Sequence, residues 1–161
     1  MEIRQALLEE IPEIMDIYEN AKAFMEAHEN PTQWKDGYPS VELVTEDCKN
    51  KELYVCVEKG EIAGVFMFTE RPDKTYREIF QGEWLNEKPY GTMHRMASSG
   101  IQKGVSSFCL DWCFKQCENV KGDTHKDNYV MQKVFEKNGF RRCGIIYVED
   151  GTPRIAYQRE N

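Results

Sequence analysis

Apolar and polar positions recur along this chain with two different periods, and the changes from one to the other mark out its elements. Ile11, Ile14, Met15, Tyr18, Ala21 and Met25 keep the three- and four-residue spacing of one helix face. Pro12 falls in the first turn, where its missing N–H has no intrahelical partner to lose. Ahead of it, Met1 to Ala6 read as a short strand. Ser40 is placed to cap a second helix over residues 41–50, with Glu42 and Glu46 near its start and Lys49 and Lys51 near its end, as the helix dipole favours. Residues 53–58 and 61–69 are apolar, strand-like runs joined by Lys59-Gly60, the pattern of a hairpin. Further on, residues 119–124 read as a strand and 125–128 as a turn. A helix comes next, with Met131, Val134 and Phe135 on one face and Gly139 as its stop. Residues 140–148 and 152–158 close the chain as a second hairpin around Glu149-Asp150-Gly151.

The stretch from Met93 to Gln116 uses both periods in turn. It predicts a strand, a loop carrying Ser98, Ser99, Gly100 and Gly104, and a helix whose apolar positions are Val105, Phe108, Cys109, Trp112 and Cys113. A strand that feeds a glycine-bearing loop into a helix start leaves backbone N–H groups unpaired beside the positive end of the helix dipole. Such a start is suited to a phosphate group. Two segments have no clear period. Residues 30–40 hold Trp34 and Tyr38 among prolines and glycine, and residues 71–90 hold Tyr76, Phe80, Trp84 and Tyr90 beside Glu78 and Glu83. Aromatics in such segments either wall a pocket or cap the core. A connection as long as the second is usually functional.

Composition narrows the class. The 161 residues contain no repeat, low-complexity tract or linker, so a single domain over 1–161 is expected. With 40% hydrophobic and 30% charged residues the chain has the balance of a folded globular protein. A net charge of −7 speaks against nucleic acid as a partner, because counterion release needs a basic surface. No apolar run approaches the ~18 residues of a bilayer span, and the first ten residues lack the basic start and apolar core of a secretory signal. A cytoplasmic protein without a membrane partner is the expectation. Cys109, Cys113 and Cys117 stand four apart, unlike the C-x-x-C knuckles of a zinc site, so the six cysteines are expected to be reduced thiols, with no metal. Exposed strand edges leave a homodimer open.

The order strand, helix, helix, hairpin, strand, glycine loop, helix, strand, helix, hairpin resembles that of the GNAT superfamily of acetyl-CoA-dependent N-acetyltransferases. Ile101-Gln102-Lys103-Gly104-Val105-Ser106 stands where that family has its pyrophosphate loop, Q/R-x-x-G-x-G/A, with Ile101 in place of Gln or Arg and Ser106 in place of the last Gly or Ala. Asn128, followed by Met131, Phe135, Glu136, Lys137, Gly139 and Phe140, is similar to the family's N-x-x-M/A…[Y/F]-E-K-x-G-F helix. The likeness runs over essentially the whole chain. It implies an α/β fold with a mixed, mostly antiparallel central sheet of about six to seven strands flanked by about four helices.

The resemblance also implies acetyl-CoA as co-substrate. The backbone of Met96, Ala97 and Ser98 would pair with its pantetheine arm like an added strand. The amides of Gln102, Lys103, Gly104, Val105 and Ser106 would cradle the pyrophosphate, and Asn128, with Met131 and Phe135, would contact the pantetheine. The implied chemistry is direct attack of a neutral amine, on a small molecule or peptide, upon the thioester. An alkylammonium of pKa ~10.4 must first lose a proton, so a base is needed. His94 is the first candidate: it precedes the loop, strand alternation puts it on the face of Met96, and its ordinary pKa of ~6.5 suits the task. A hydrogen-bonded core histidine is the alternative. Glu83 is the second candidate, against a solvated loop carboxylate. Trp34, Tyr38, Trp84 and Tyr90 are the candidate walls of the acceptor pocket. Many family members have a tyrosine where this chain has Phe135, which removes the expected proton donor to the leaving thiolate. That keeps a second reading open, a non-catalytic acyl-CoA-binding or regulatory module.

Overall fold

Each periodic segment becomes one element in the computed structural model, which describes residues 1–161. In chain order these are β1 (Glu2–Gln5), α1 (Ile11–Ala27), α2 (Val41–Lys49), β2 (Leu53–Glu58), β3 (Glu61–Thr69), β4 (Gly91–Ser98), α3 (Val105–Cys117), β5 (Asn119–Thr124), α4 (Tyr129–Lys137), β6 (Arg141–Tyr147) and β7 (Pro153–Glu160). The seven strands form one sheet in the order β1-β2-β3-β4-β5-β7-β6. β1–β2, β2–β3, β5–β7 and β6–β7 pair antiparallel. β4 and β5 run parallel and pair only at Gly91 with Val120 and Thr92 with Lys121. This is the α/β architecture expected from the element order. All six cysteines are free thiols, and no helix is long and apolar enough to cross a membrane. Contacts divide the chain into two compact units, one of Met1–Phe68 with His94–Cys109 and one of Thr69–Met93 with Leu110–Asn161.

In the first unit α1 buries Ile11, Ile14, Ile17 and Tyr18 against Val44, Leu53, Val55, Ile62 and Val65. Burial of each such side chain contributes about 1.5–3 kcal/mol. The chain is steered into α1 by a fork of Arg4 onto the Glu10 carboxylate at 2.9 and 2.7 Å, while Glu10 also accepts the Leu7 amide. Ser40 caps α2 by accepting the Leu43 amide at 3.1 Å. Lys59 and Gly60 both have positive φ, 51° and 80°, which matches the right-handed twist of the strands they join. The start of α3 is set by a close approach: Val105, 2% exposed, lies where a side chain on Gly64 of β3 would otherwise be.

That seating fixes the rotation of α3 and corrects one expectation from the spacing. The buried stripe is Val105, Cys109, Leu110, Cys113 and Phe114, whereas Phe108 is 36% exposed and Trp112 only half-buried. The apolar positions of α3 wrap more than one face, so periodicity alone does not choose between them.

In the second unit the long segment before β4 is pinned to the sheet rather than left loose. Phe80 and Ile145 exchange backbone hydrogen bonds at 2.8 Å in both directions. Gln158, fully buried, accepts the Leu85 amide at 2.8 Å and donates to Asn119 Oδ1 at 2.8 Å. Asn119 in turn donates to the Pro89 carbonyl at 2.9 Å. Below α4, Phe135 stacks on Tyr157 with centroids 4.8 Å apart, its ring tip filling the space left by Gly122.

A Cβ on Gly64 would stand 2.5 Å from Val105 Cγ1 and 3.2 Å from the Ala97 carbonyl oxygen. Gly64→Ala is therefore expected to cost ~1–3 kcal/mol, as overpacking of a tight core does. Denaturant midpoints of the two proteins check this, and an unshifted midpoint would show the contact to be soft.

Candidate functional site

The turn between β4 and α3 is held at its start and open at its middle. The Ser99 amide and hydroxyl both donate to the Ala63 carbonyl, at 2.9 and 3.2 Å. The Ser98 and Ser99 hydroxyls then accept the amides of Gly100 and Ile101, at 3.3 and 3.4 Å. Gly100 and Gly104 have φ of 86° and 77°, a region that favours glycine, and a Cβ on either would meet nothing within 4 Å. In the stretch that ends at Gly104 the amides of Gln102, Lys103 and Gly104 find no acceptor in the protein. Gln102, Lys103 and Gly104 are exposed and Ser106 is half-buried. An open rim of unpaired amides beside the start of a 13-residue helix fits a pyrophosphate. Val105 contributes its backbone only, since its side chain is core. Of the residues expected beside this loop, Met96 is half-buried, Ala97 is buried and Ser98 is exposed.

β4 itself carries an irregularity that spacing does not reveal. Arg95 has φ 54°, in the left-handed region, and interrupts the extended run between His94 and Met96. Simple alternation therefore does not carry across Arg95 from one of these residues to the other. The conformation is tied down from three sides. Arg95 Nε and Nη2 each donate to an Asp47 carboxylate oxygen at 2.9 Å, and Nη1 donates to the Tyr38 hydroxyl at 3.0 Å. The Arg95 carbonyl accepts the Tyr18 hydroxyl at 2.8 Å. The Arg95 and Asp47 side chains are 11% and 5% exposed. Burial pushes the Asp47 carboxyl up from the usual carboxylate range, and the guanidinium partly offsets this; His94 lies near enough for its charge to pull the same way as Arg95. Burial alone would weaken the Arg95 charge, but Tyr38 and Asp47 hold it. Burial keeps the Tyr18 phenol protonated far above its ordinary range, so it is a donor at any working pH. His94 is half-buried in this surrounding. Trp34, 9% exposed, packs edge-on against Tyr18 with centroids 5.6 Å apart, and so takes the core-capping role of its two alternatives.

The second unit gathers the other two candidate pocket walls around a lysine. Lys121 Nζ lies 4.2 Å from the Trp84 ring centroid and 4.0 Å from that of Tyr90. The rings are fixed in turn: Trp84 Nε1 donates to the Tyr76 carbonyl at 2.8 Å, and Tyr90 Oη accepts the Asp73 amide at 2.9 Å. The Tyr76 hydroxyl donates to Asp123 at 2.6 Å. Lys121 is 5% exposed, and burial draws its pKa down to about 8. Glu83 is exposed, its backbone amide bonded to the Cys143 carbonyl at 3.0 Å. Asn128 caps α4, its Oδ1 accepting the Met131 amide at 3.0 Å. Met131 is half-buried, while Phe135 is 1% exposed and faces Tyr157 and Phe140.

The four aromatic walls thus belong to two clusters, Trp34 and Tyr38 in one unit and Trp84 and Tyr90 in the other. Sequence reasoning missed Tyr18, Asp47, Arg95, Tyr76, Lys121 and Asp123. Lys121 and Asp123 carried a signal, two charged residues of equal parity within a strand otherwise made of Asn119, Val120, Gly122 and Thr124. Arg95 carried none, because Asp47 lies 48 residues away.

No protein-family model and no curated protein matches the chain by sequence, but solved structures match it over its length. A GNAT-family acetyltransferase from Streptococcus agalactiae is 29% identical, with a TM-score of 0.92 covering 99% of this chain and 95% of that one. A GNAT-family acetyltransferase from Listeria monocytogenes is 18% identical, TM-score 0.72, covering 99% and 94%. AAC(6')-Ib, whose structure holds acetyl-CoA, is 18% identical, TM-score 0.67, covering 99% and 92%.

Asp47→Ala would leave the Arg95 guanidinium buried without its carboxylate. Loss of one partner of a buried pair typically costs about 3–5 kcal/mol. A denaturant midpoint lowered by that amount is expected, and a loss under about 1 kcal/mol would show the pair to be no better than a surface one.

Proposed function

We infer that this member of the GNAT superfamily is an acetyltransferase that moves the acetyl group of acetyl-CoA to a primary amine, on a small molecule or peptide, by direct attack in a ternary complex. The observation that carries the reading is the loop between β4 and α3: three consecutive unpaired amides, at Gln102, Lys103 and Gly104, in a turn whose Gly100 and Gly104 both have positive φ. Support also comes from a TM-score of 0.92 against an acetyltransferase over nearly the whole chain.

In this reading the amides of Gln102 to Ser106 hold the pyrophosphate, and Lys103, exposed and without an ion pair, adds charge. The backbone of Met96 and Ser98 receives the pantetheine arm as an added strand, since β4 pairs with β5 only as far as Thr92. When bound, acetyl-CoA supplies an activated thioester carbonyl. Its developing negative charge is met by the Met96 amide, whose position is set by the fixed Arg95. His94 takes the acceptor's proton, with Glu83 as the second candidate base. Asn128 spends its side-chain oxygen on the α4 cap, so a contact with the pantetheine would come in addition to that task.

The reading is tested by thiol release from acetyl-CoA across a panel of primary amines. Turnover with at least one amine is expected; acetyl-CoA binding seen by calorimetry without turnover on any amine would favour the non-catalytic module instead, which the missing phenol at Phe135 also suits. Gly104→Asp should abolish measurable acetyl-CoA binding, because a carboxylate would enter the pyrophosphate position and the residue would be forced into a glycine conformation. Retained affinity would move the cofactor elsewhere. His94→Ala should lower kcat by ~10²-fold or more while leaving acetyl-CoA affinity in place, and an unaltered kcat would remove His94 from the mechanism.

A further inference from the structure

Seven residues other than glycine have a positive φ, and six of them lie outside the helices and strands. Arg95 alone has it inside a strand. An arginine in a strand is free to be extended, and the left-handed region is disfavoured for it about 5–30-fold relative to glycine. Arginine also lacks the short polar side chain with which Asn or Asp eases this conformation by bonding to the backbone nearby. At Arg95 the conformation is held from a distance instead. Asp47 of α2 accepts two bonds from the guanidinium, the Tyr38 hydroxyl accepts a third, and Tyr18 of α1 donates to the Arg95 carbonyl. The ion pair lies largely out of solvent, and a pair so placed adds little net stability over apolar side chains of the same volume. Stability therefore does not account for it. What the clamp sets is the direction of one peptide, the one between Arg95 and Met96, and strained backbone held by its surroundings is characteristic of functional sites.

We propose that Arg95 is a positioning residue for acetyl transfer and that Asp47, Tyr38 and Tyr18 act through it. Together they keep the peptide turned so that the Met96 amide meets the thioester carbonyl oxygen. The backbone conformation at residue 95 is what the reaction uses, and the charge is the means of keeping it. An amide aimed in advance at the developing oxyanion acts on the transition state more than on the bound ligand, so loss of the clamp lowers kcat and leaves acetyl-CoA affinity in place. The inference rests on the acetyl-CoA reading above. It adds side chains from two helices and the segment between them, all reaching the reaction through one peptide of β4.

The experiment compares two double variants of the full chain, Asp47→Ala with Arg95→Ala and Asp47→Ala with Arg95→Gly. Both remove the whole pair, so neither leaves a buried charge unmet, and they differ by one Cβ. Asp47→Leu takes the place of Asp47→Ala, to fill the space, in a chain that does not fold with alanine there. Glycine adopts the left-handed region without a clamp and alanine does not. With an amine that the unaltered protein acetylates, the Arg95→Ala form should lose about tenfold or more in kcat while its acetyl-CoA dissociation constant stays within about threefold, and the Arg95→Gly form should be at least about fivefold faster than the Arg95→Ala form. Equal losses in the two forms, as a role for the charge alone predicts, overturn the proposal; so do equal, undiminished rates in both, as a role in folding alone predicts. A second readout needs no turnover. In isotope-labelled protein followed by NMR, the Met96 amide resonance should move when acetyl-CoA replaces CoA, in the unaltered protein and the Arg95→Gly form, and move less in the Arg95→Ala form. Turnover of an amine by a protein whose Met96 resonance does not distinguish the two ligands overturns the positioning role and leaves the acetyltransferase reading standing. The difference between glycine and alanine at Met96, without turnover of any amine, supports the positioning of a bound thioester while that reading fails. A chain that binds no acetyl-CoA overturns both.

Discussion

The bidentate pair between Arg95 and Asp47 is the constraint on which the central strand depends. A left-handed backbone at a residue with a Cβ costs roughly 1–2 kcal/mol, and β4 keeps one at Arg95 because side chain and carbonyl are both occupied. Asp47 reaches it from α2 and Tyr18 from α1, so the packing of both helices is read out at one peptide of the strand. Tyr38 on Nη1 adds the segment between those helices to the same node. The backbone beyond Arg95, from Met96 to the Ser98 and Ser99 turn, therefore starts from a fixed direction. Gly64 and Val105 perform the corresponding service at the far end of the turn, where α3 begins.

Two buried cations with opposite surroundings show how the fold tunes a charge through what it packs against it. Arg95 has a carboxylate and a phenol on its guanidinium, keeps its charge and is fixed. Lys121 has ring faces in place of a carboxylate, and desolvation lowers its affinity for the proton. The residue types suit the roles, since guanidinium resists deprotonation and makes two parallel bonds, whereas an ammonium shifts readily when buried. The same inward-facing charge thus serves as a fastener in one unit and as a titratable amine in the other.

Local signals made most of the elements legible in the sequence. The period of α1, the Ser40 cap, the Lys59-Gly60 turn and the Gly139 stop each act over a few residues, and each appears where the spacing put it. The β4–α3 loop was legible for the same reason, as its glycines and its helix start are contiguous. The rest depends on contacts between distant residues. The rotation of α3 is decided by a glycine 41 positions earlier, which spared Val105 and exposed Phe108. The irregular segment before β4 looked like a loose wall, yet its partners Ile145, Asn119 and Gln158 lie far downstream and give no sign within the segment itself. Strand alternation at His94 and Met96 failed as an argument because the residue between them leaves the extended region.

Phe135 shows why a missing functional group can have a structural cause. Its ring is 1% exposed, stacks on Tyr157, meets Phe140 at 5.2 Å, and has its tip where a side chain on Gly122 would be. A phenol in its place would carry its hydroxyl in among apolar rings and against the β5 backbone, whose Gly122 and Asp123 are already paired with Tyr157 and Ala156. An unmet hydroxyl there would cost roughly 1–3 kcal/mol. The apolar ring is thus what this packing between α4 and β5 requires. In the proposed acetyl transfer the leaving thiolate, with an ordinary thiol pKa of ~8.5, needs little help to depart near neutral pH. On that proposal the chain can fill this position with a core residue and leave the proton to solvent, provided that the amine on the acceptor side is delivered neutral. That shifts the demand for proton transfer from the departing sulfur to the attacking nitrogen.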